Sequence, residues 1–256
     1  MYKKLLMTVL LGIYILDPVS GFTATMGTWD VVLDYSHLTF SGIPFSVIGP
    51  PLTVSGSEAS IASLDLRILD GIVDTSASAS ISGATAAART TNDTLEASIQ
   101  ASGLSLSVLG QRVLADAVAL RSISFSPLQS GNLTVSIPYS LSEQVLADPF
   151  LAFIASDVSA TLELSRAVLG NPIPLRTLAT QAFNNTVQGG EGINLSQSGV
   201  LTATVLFDTA DEFGFLRLTV SDRIALQAVP EPFPWLVLAS GLIALAMWRR
   251  VIAARH

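Results

Sequence analysis

The chain has 256 residues, 50% hydrophobic and only 13% charged, with a net charge of −7. Cysteine is absent, which excludes disulfides, thiolate zinc sites and thiol catalysis. Both lysines, Lys3 and Lys4, precede the first apolar run, and residues 22–229 carry eight arginines against eighteen acids, a net of −10. A phosphate backbone needs clustered cations, so nucleic acid is excluded as a partner.

Met1-Tyr2-Lys3-Lys4 forms a basic n-region, Leu5 to Leu16 an apolar h-region, and Asp17-Pro18 ends it. This order predicts a secretory signal peptide over residues 1–21. Cleavage after Gly21 places Val19 and Gly21 in the small-residue positions; cleavage after Ala24 is the alternative, although Phe22 fits it poorly. An uncleaved anchor is the other reading. Residues 22–228 form the exported body, roughly two hundred residues and enough for one large core.

The body is written in period two. Trp29, Val31, Leu33 and Tyr35 alternate with Asp30, Asp34 and Ser36, which predicts a strand with one buried row. Leu64, Leu66 and Ile68 give a second strand, and Val73 to Ser82 a third, with Asp70-Gly71 between them as a hairpin signal. Leu95, Ala97 and Ile99 follow the turn residues Thr91-Asn92-Asp93, and Leu104, Leu106 and Val108 form a separate strand after a break at Gly103. Val113 to Leu120 alone would also fit a helical turn or two, but with Ile123 and Phe125 in period two the stretch reads as one long strand, with or without a bulge. Leu133, Val135, Ile137 and Tyr139 alternate cleanly after Ser130-Gly131-Asn132, while Ser142 to Ala147 reads as a short helix or loop. Val158 to Ser165 is a strand, Gly170 to Gly199 an irregular stretch, and Leu201 to Phe207 and Leu216 to Val220 complete the set. Ile224, Leu226 and Ala228 lead into the tail.

About ten short-spaced strands without a helical pattern predict an all-β fold, an antiparallel two-sheet sandwich or jelly-roll-like domain. Rows of serine and alanine predict flat sheets packed closely.

Chemistry is thin in the body. His37 is its single histidine, and its phase with Trp29 to Tyr35 points to a core or sheet-end residue rather than a base. No catalytic residue, cofactor or metal site is expected. Asp65, Asp70 and Asp74, and separately Asp208, Asp211 and Glu212, could offer hard oxygens to calcium, but neither has the spacing of a calcium loop, and solvated turn acids explain them. Asn92, Asn132, Asn184 and Asn194 begin glycosylation patterns, the third being Asn184-Asn185-Thr186, and are read as turn residues.

The tail is more specific. Pro230-Glu231-Pro232 cannot continue a strand ladder, because proline has no N–H and fixes its own φ. Residues 233–248 are uncharged, contain Trp235 and Trp248, and stop at Arg249-Arg250, which predicts a membrane helix with snorkelling arginines. At about 1.5 Å per residue the helix is short for a hydrocarbon core of roughly 30 Å. Lysines before the first apolar run and arginines after the last both favour the cytoplasm, so the body between them lies outside.

A Pro-Glu-Pro, a short membrane helix and a terminal arginine cluster, in that order, resemble the PEP-CTERM sorting signal of Gram-negative bacteria that make exopolysaccharide. The resemblance covers residues 229–256. It implies an exosortase-type membrane protease as partner, with Pro230, Glu231 and Pro232 as the recognition and cleavage motif and Arg249 and Arg250 as the membrane stop. It further implies delivery from a membrane-anchored precursor to the cell envelope surface or extracellular matrix. The expected function is that of a non-enzymatic matrix or surface protein, touching membrane lipid in transit and, in its final place, extracellular polysaccharide. The alternatives are a carbohydrate-binding or adhesin-like domain kept on a permanent C-terminal anchor, and an envelope hydrolase using an acid pair or His37.

Overall fold

The computed structural model describes residues 25–59, 64–70, 75–81, 84–104, 112–147, 151–167, 175–210 and 212–228. The segment expected to be a signal peptide (1–21) and the tail expected to hold a membrane helix (229–256) lie outside the described residues. Among those described, the chain is almost entirely strand: β1 (Thr25–Asp34), β2 (Thr39–Gly42), β3 (Phe45–Val47), β4 (Leu52–Ala59), β5 (Leu64–Asp70), β6 (Thr75–Ile81), β7 (Ala84–Thr90), β8 (Thr94–Leu104), β9 (Arg112–Pro127), β10 (Gly131–Leu146), β11 (Leu151–Ala167), β12 (Leu175–Gln188), β13 (Gly192–Phe207) and β14 (Phe213–Ala228). A single 3₁₀ turn, Tyr35–His37, follows β1. No helix among the described residues is long and apolar enough to cross a membrane.

Two antiparallel sheets result. The first runs β13-β10-β1-β8-β7-β6 with β2 also on β10, and the second runs β12-β11-β14-β9-β4-β5 with β3 also on β9. They stack as a sandwich in matching order, β13 over β12, β10 over β11, β1 over β14, β8 over β9, β7 over β4 and β6 over β5. Alternation supplies the core: Trp29, Val31 and Leu33 from β1, Leu133 to Leu141 from β10, Val158 to Leu164 from β11 and Leu216 to Val220 from β14 turn inward in steps of two. Each fully buried Leu, Ile, Val or Phe contributes ~1.5–3 kcal/mol. Toward β4 and β7 the inward residues shrink to Ala84, Ala86, Ala88, Ala115, Ala117, Ala119 and Ser55. There the Ser55 hydroxyl meets the Thr90 hydroxyl at 3.1 Å, a direct bond from one sheet to the other that requires the close approach expected of small residues. On the outer face, Thr134–Thr204 and Ser136–Thr202 hydroxyl pairs at 2.8 and 3.0 Å link β10 to β13.

Several expectations are corrected. Ser142 to Ala147 is neither helix nor loop, because β10 continues to Leu146 with β1 on one side and β13 on the other. A polar residue in the inward row, Glu143, hides the alternation there. Most of the stretch read as irregular is β12 and the first half of β13; their inward rows include Thr177, Gln181, Asn185 and Gln197, so an edge position masks the period. Asp70-Gly71 is not a hairpin turn, since β5 and β6 belong to different sheets and the chain changes layer between them. Alternation cannot distinguish a turn within a sheet from a crossing between sheets. β8 runs through Gly103: its register to β1 passes from Ser102 to Leu104, leaving Gly103 as the extra residue of a bulge. β9 is the one long strand expected there, and it keeps one register against β14, without a bulge.

One topological result positions everything else. Met26 on β1 pairs with Leu146 at the end of β10, and Leu151 at the start of β11 pairs with Ala228 at the end of β14. Only residues 147–150 separate β10 from β11. The first and last strands therefore begin and finish at the same end of the sandwich. The opposite end is closed by an aromatic chain, Phe40–Phe45–Phe125–Phe207, with ring centroids 4.7, 5.2 and 5.9 Å apart.

Candidate functional site

Pro230, Glu231, Pro232, Arg249 and Arg250 all lie outside the described residues, but the end of the sandwich from which they depart does not. Pro230 follows Ala228, the last residue of β14, by two positions, and β14 is held between β11 and β9. The motif is thereby attached to an interior strand of the second sheet. At the same end the outer face of the first sheet carries exposed Met26 and Leu146, rimmed by Gln100, Gln144 and Asn194 around a shallow groove.

The groups singled out for chemistry resolve into structural roles. Of the two places expected for His37, core or sheet end, it takes the second: it is 72% exposed on the 3₁₀ turn after β1. Asp34 caps this turn, accepting from the Ser36 N–H at 3.1 Å and the Ser36 hydroxyl at 2.6 Å. The Ser36 hydrogen bond holds the Asp34 carboxyl below its usual range against the opposing effect of burial, with lesser help from His37. Ser36 Oγ and Asp34 Oδ2 both approach the same imidazole nitrogen, Nδ1, at 3.0 and 2.7 Å. A catalytic triad divides acid and nucleophile between the two ring nitrogens, so this cluster has the wrong arrangement for one.

Asp208 and Glu212 converge on a cation already in the chain. Arg166 Nη1 lies 2.7 Å from Asp208 Oδ2 and 3.4 Å from Glu212 Oε2, and Glu212 Oε2 also accepts from the Asp208 N–H at 3.2 Å. Arg166 thus offsets one of the two charges that Asp208 and Glu212 bring to the group considered for calcium; Asp211, its third member, lies outside the described residues. Asp65 and Asp70 are both on β5, and Asp74 lies outside the described residues. Asn92 is in a turn, whereas Asn132, Asn184, Asn185 and Asn194 are strand residues.

The sandwich interior holds two carboxyl groups that the sequence reading passed over. Glu143, fully buried on β10, accepts from Trp29 Nε1 at 3.0 Å, from the Ser156 hydroxyl at 2.5 Å and from Asn185 Nδ2 at 2.5 Å. The donors come from β1, β11 and β12, so one carboxylate ties both sheets together through neutral partners. Asp222, also fully buried, takes an inward position on β14 between Val220 and Ile224, and neither of its oxygens has a hydrogen-bond partner. Burial pushes its carboxyl well above the usual range, and the negative fields of Asp30, Glu143 and Asp116 add to the effect. Asp30, half-buried on the outer face of β1, is also raised, first by burial and against the Ser142 hydrogen bond. Position in the alternation was the available signal, since Glu143 follows Leu141 in phase and Asp222 follows Val220.

Arg121 is a third buried polar group. It lies 4.2 Å over the Tyr35 ring and donates to the Thr91 carbonyl at 3.0 Å. Burial raises the Tyr35 phenol, and the Arg121 charge opposes that rise.

No family model matches the chain, and no curated protein matches it. Among solved structures, vicilin from Corylus avellana (hazelnut) aligns over 78% of this chain and 74% of its own, at 7% identity and a TM-score of 0.12. A score this low carries no argument about fold or function.

Proposed function

We propose that this is an exported, non-enzymatic surface or extracellular-matrix protein, sorted through its PEP-CTERM-like tail by an exosortase-type protease. In this reading residues 1–21 are a signal peptide, residues 233–248 a membrane helix, and the β-sandwich body is held outside the inner membrane of a Gram-negative bacterium until the tail is cut. The carrying observation is the order of Pro230-Glu231-Pro232, an uncharged segment and Arg249-Arg250 in the sequence.

The topology supports it. With β1 starting and β14 ending at one end of the sandwich, both membrane-directed segments can enter the same bilayer without crossing the body. A body hung from an interior strand by a stiff Pro-Glu-Pro spacer presents that spacer, rather than a folded face, to a protease in the membrane.

The reading is tested in the native host with Glu231→Ala and Pro232→Ala. Sorting predicts full-length, membrane-retained protein for the variants and a shortened, released form for the parent. Equal release of parent and variants would refute the role of the motif.

A further inference from the structure

The first sheet ends at β13 and the second at β12, on the same side of the sandwich. Among the described residues, neither has a ladder partner on its outer side. Soluble proteins blunt such edges with charges, prolines or bulges, because a row of unpaired N–H and C=O groups is a template for another strand. Here the blunting is missing. From Thr177 to Phe207 the single charged side chain is Glu191, and its carboxylate is used in the turn, accepting from the Gln188 N–H at 3.1 Å. β13 contains no proline and no register shift against β10. On the other side of the sandwich the edge strands are β5, whose sequence includes Asp65, Arg67 and Asp70, and the shorter β6, which has no charged residue.

Part of the β13 edge is already covered. Thr177 Oγ1 on β12 donates to the Thr204 carbonyl at 2.9 Å, and the inner row from Leu201 to Phe207 is buried. The other half is covered less. Over residues 192–200 Ile193 packs against the core and Gln197 accepts from Gln181 Nε2 at 3.2 Å and donates to the Tyr139 hydroxyl at 3.1 Å, while Asn194, Leu195, Ser196, Ser198, Gly199 and Val200 are exposed. Val200 is 60% exposed, unusual for a β-branched side chain on a long strand.

We propose that residues 192–200 form a self-association edge, pairing antiparallel with the same segment of a second copy across a two-fold axis. Unpaired backbone groups call for a strand as occupant. The body's net charge of −10 makes two copies repel through charged faces, whereas a charge-free strip lets them touch. A segment pairing antiparallel with itself has the self-complementarity that a two-fold interface requires. An axis normal to the layers also brings β12 toward its counterpart. Because a two-fold pairing uses the same β13 edge of both copies, it closes at a dimer. This inference does not rest on the sorting reading.

The test uses the full chain in mild detergent, so that any contribution of the tail is common to all variants. Sedimentation across a concentration series is compared for the parent and for Ser196→Lys/Ser198→Lys, whose exposed positions leave the fold intact by circular dichroism and Tm. Because the chain has no cysteine, single Asn194→Cys, Ser196→Cys and Ser198→Cys variants report the pairing by oxidation. The expected result is a dimer in the parent, association weakened about tenfold or more by the lysines, and a disulfide-linked dimer at one of the three positions. A monomeric parent, an open-ended polymer, a dimer indifferent to the lysines, or no disulfide dimer at any position would each overturn the proposal.

Discussion

Trp29 and Glu143 are register partners on β1 and β10, and the indole Nε1 donates to Oε1 at 3.0 Å with neither residue exposed. The carboxylate is therefore fixed by a neighbour in its own sheet, while Ser156 and Asn185 hold it from the opposite layer. Removing it strands three donors. Glu143→Ala is expected to destabilise by about 3 kcal/mol, more than a surface truncation, because each buried unmet group costs ~1–3 kcal/mol. Urea unfolding with intact Ser156 and Asn185, and then with both replaced by alanine, checks it; the double background should recover part of the loss.

Asp222 behaves in the opposite sense. Its folded-state carboxyl is raised well above 3.8, so the folded chain binds this proton more tightly than the unfolded chain does. Stability from this group is fully present below pH 3.8 and is lost as pH rises through the folded value. Asp222→Leu completes the aliphatic row of β14 and should stabilise by ~1–3 kcal/mol near neutral pH, with a smaller gain at pH 4. Unfolding curves of parent and variant at both pH values give the comparison; an equal difference at both would contradict the assignment.

Two glycines lie under aromatic rings. A Cβ at Gly27 would run into the Trp29 indole, and one at Gly214 into the Phe125 ring. Gly27→Ala and Gly214→Ala should each lower stability by ~1–3 kcal/mol, the cost of forcing a packed core to shift. Gly49, at φ +71° with open space around its missing side chain, is the control. Gly49→Ala should cost about 1 kcal/mol, from backbone conformation alone.

Arg166 is half of a partly buried ion pair. Its side chain is 11% exposed and that of Glu212 is 4% exposed, against 57% for Asp208. Arg166→Ala leaves Glu212 buried without its cation and should destabilise by ~3 kcal/mol, whereas Asp208→Ala should cost less than about 1 kcal/mol. Calcium is expected to leave the Tm of the parent unchanged, since the Arg166 guanidinium already occupies the space between these carboxylates. Thermal denaturation of the three proteins, with and without millimolar calcium, reads both effects.

Period two was legible wherever a strand has a partner on both sides and an aliphatic inward row, as in Trp29 to Leu33 or Leu133 to Leu141. It failed for two physical reasons. At Glu143 and Asp222 a polar residue occupies an inward position, which looks like the end of a strand when only hydropathy is read. In β12 and residues 192–200 the edge position leaves the inner row half in water, so selection for apolar residues is relaxed. Chain crossings such as the one between β5 and β6 depend on pairing partners far away in sequence and leave no local trace. The tail motif is the reverse case, since Pro230-Glu231-Pro232 and Arg249-Arg250 are conspicuous in sequence alone.

The central claim is that the chain is trimmed at both ends on its way to the cell surface, and the intact mass of protein from the surface fraction of its native host tests it most directly. The account predicts a mass lacking residues 1–21 and everything beyond the Pro230-Glu231-Pro232 region. A mass lacking the leader but retaining Trp235 to His256 would contradict it, and would make the protein a resident of the membrane.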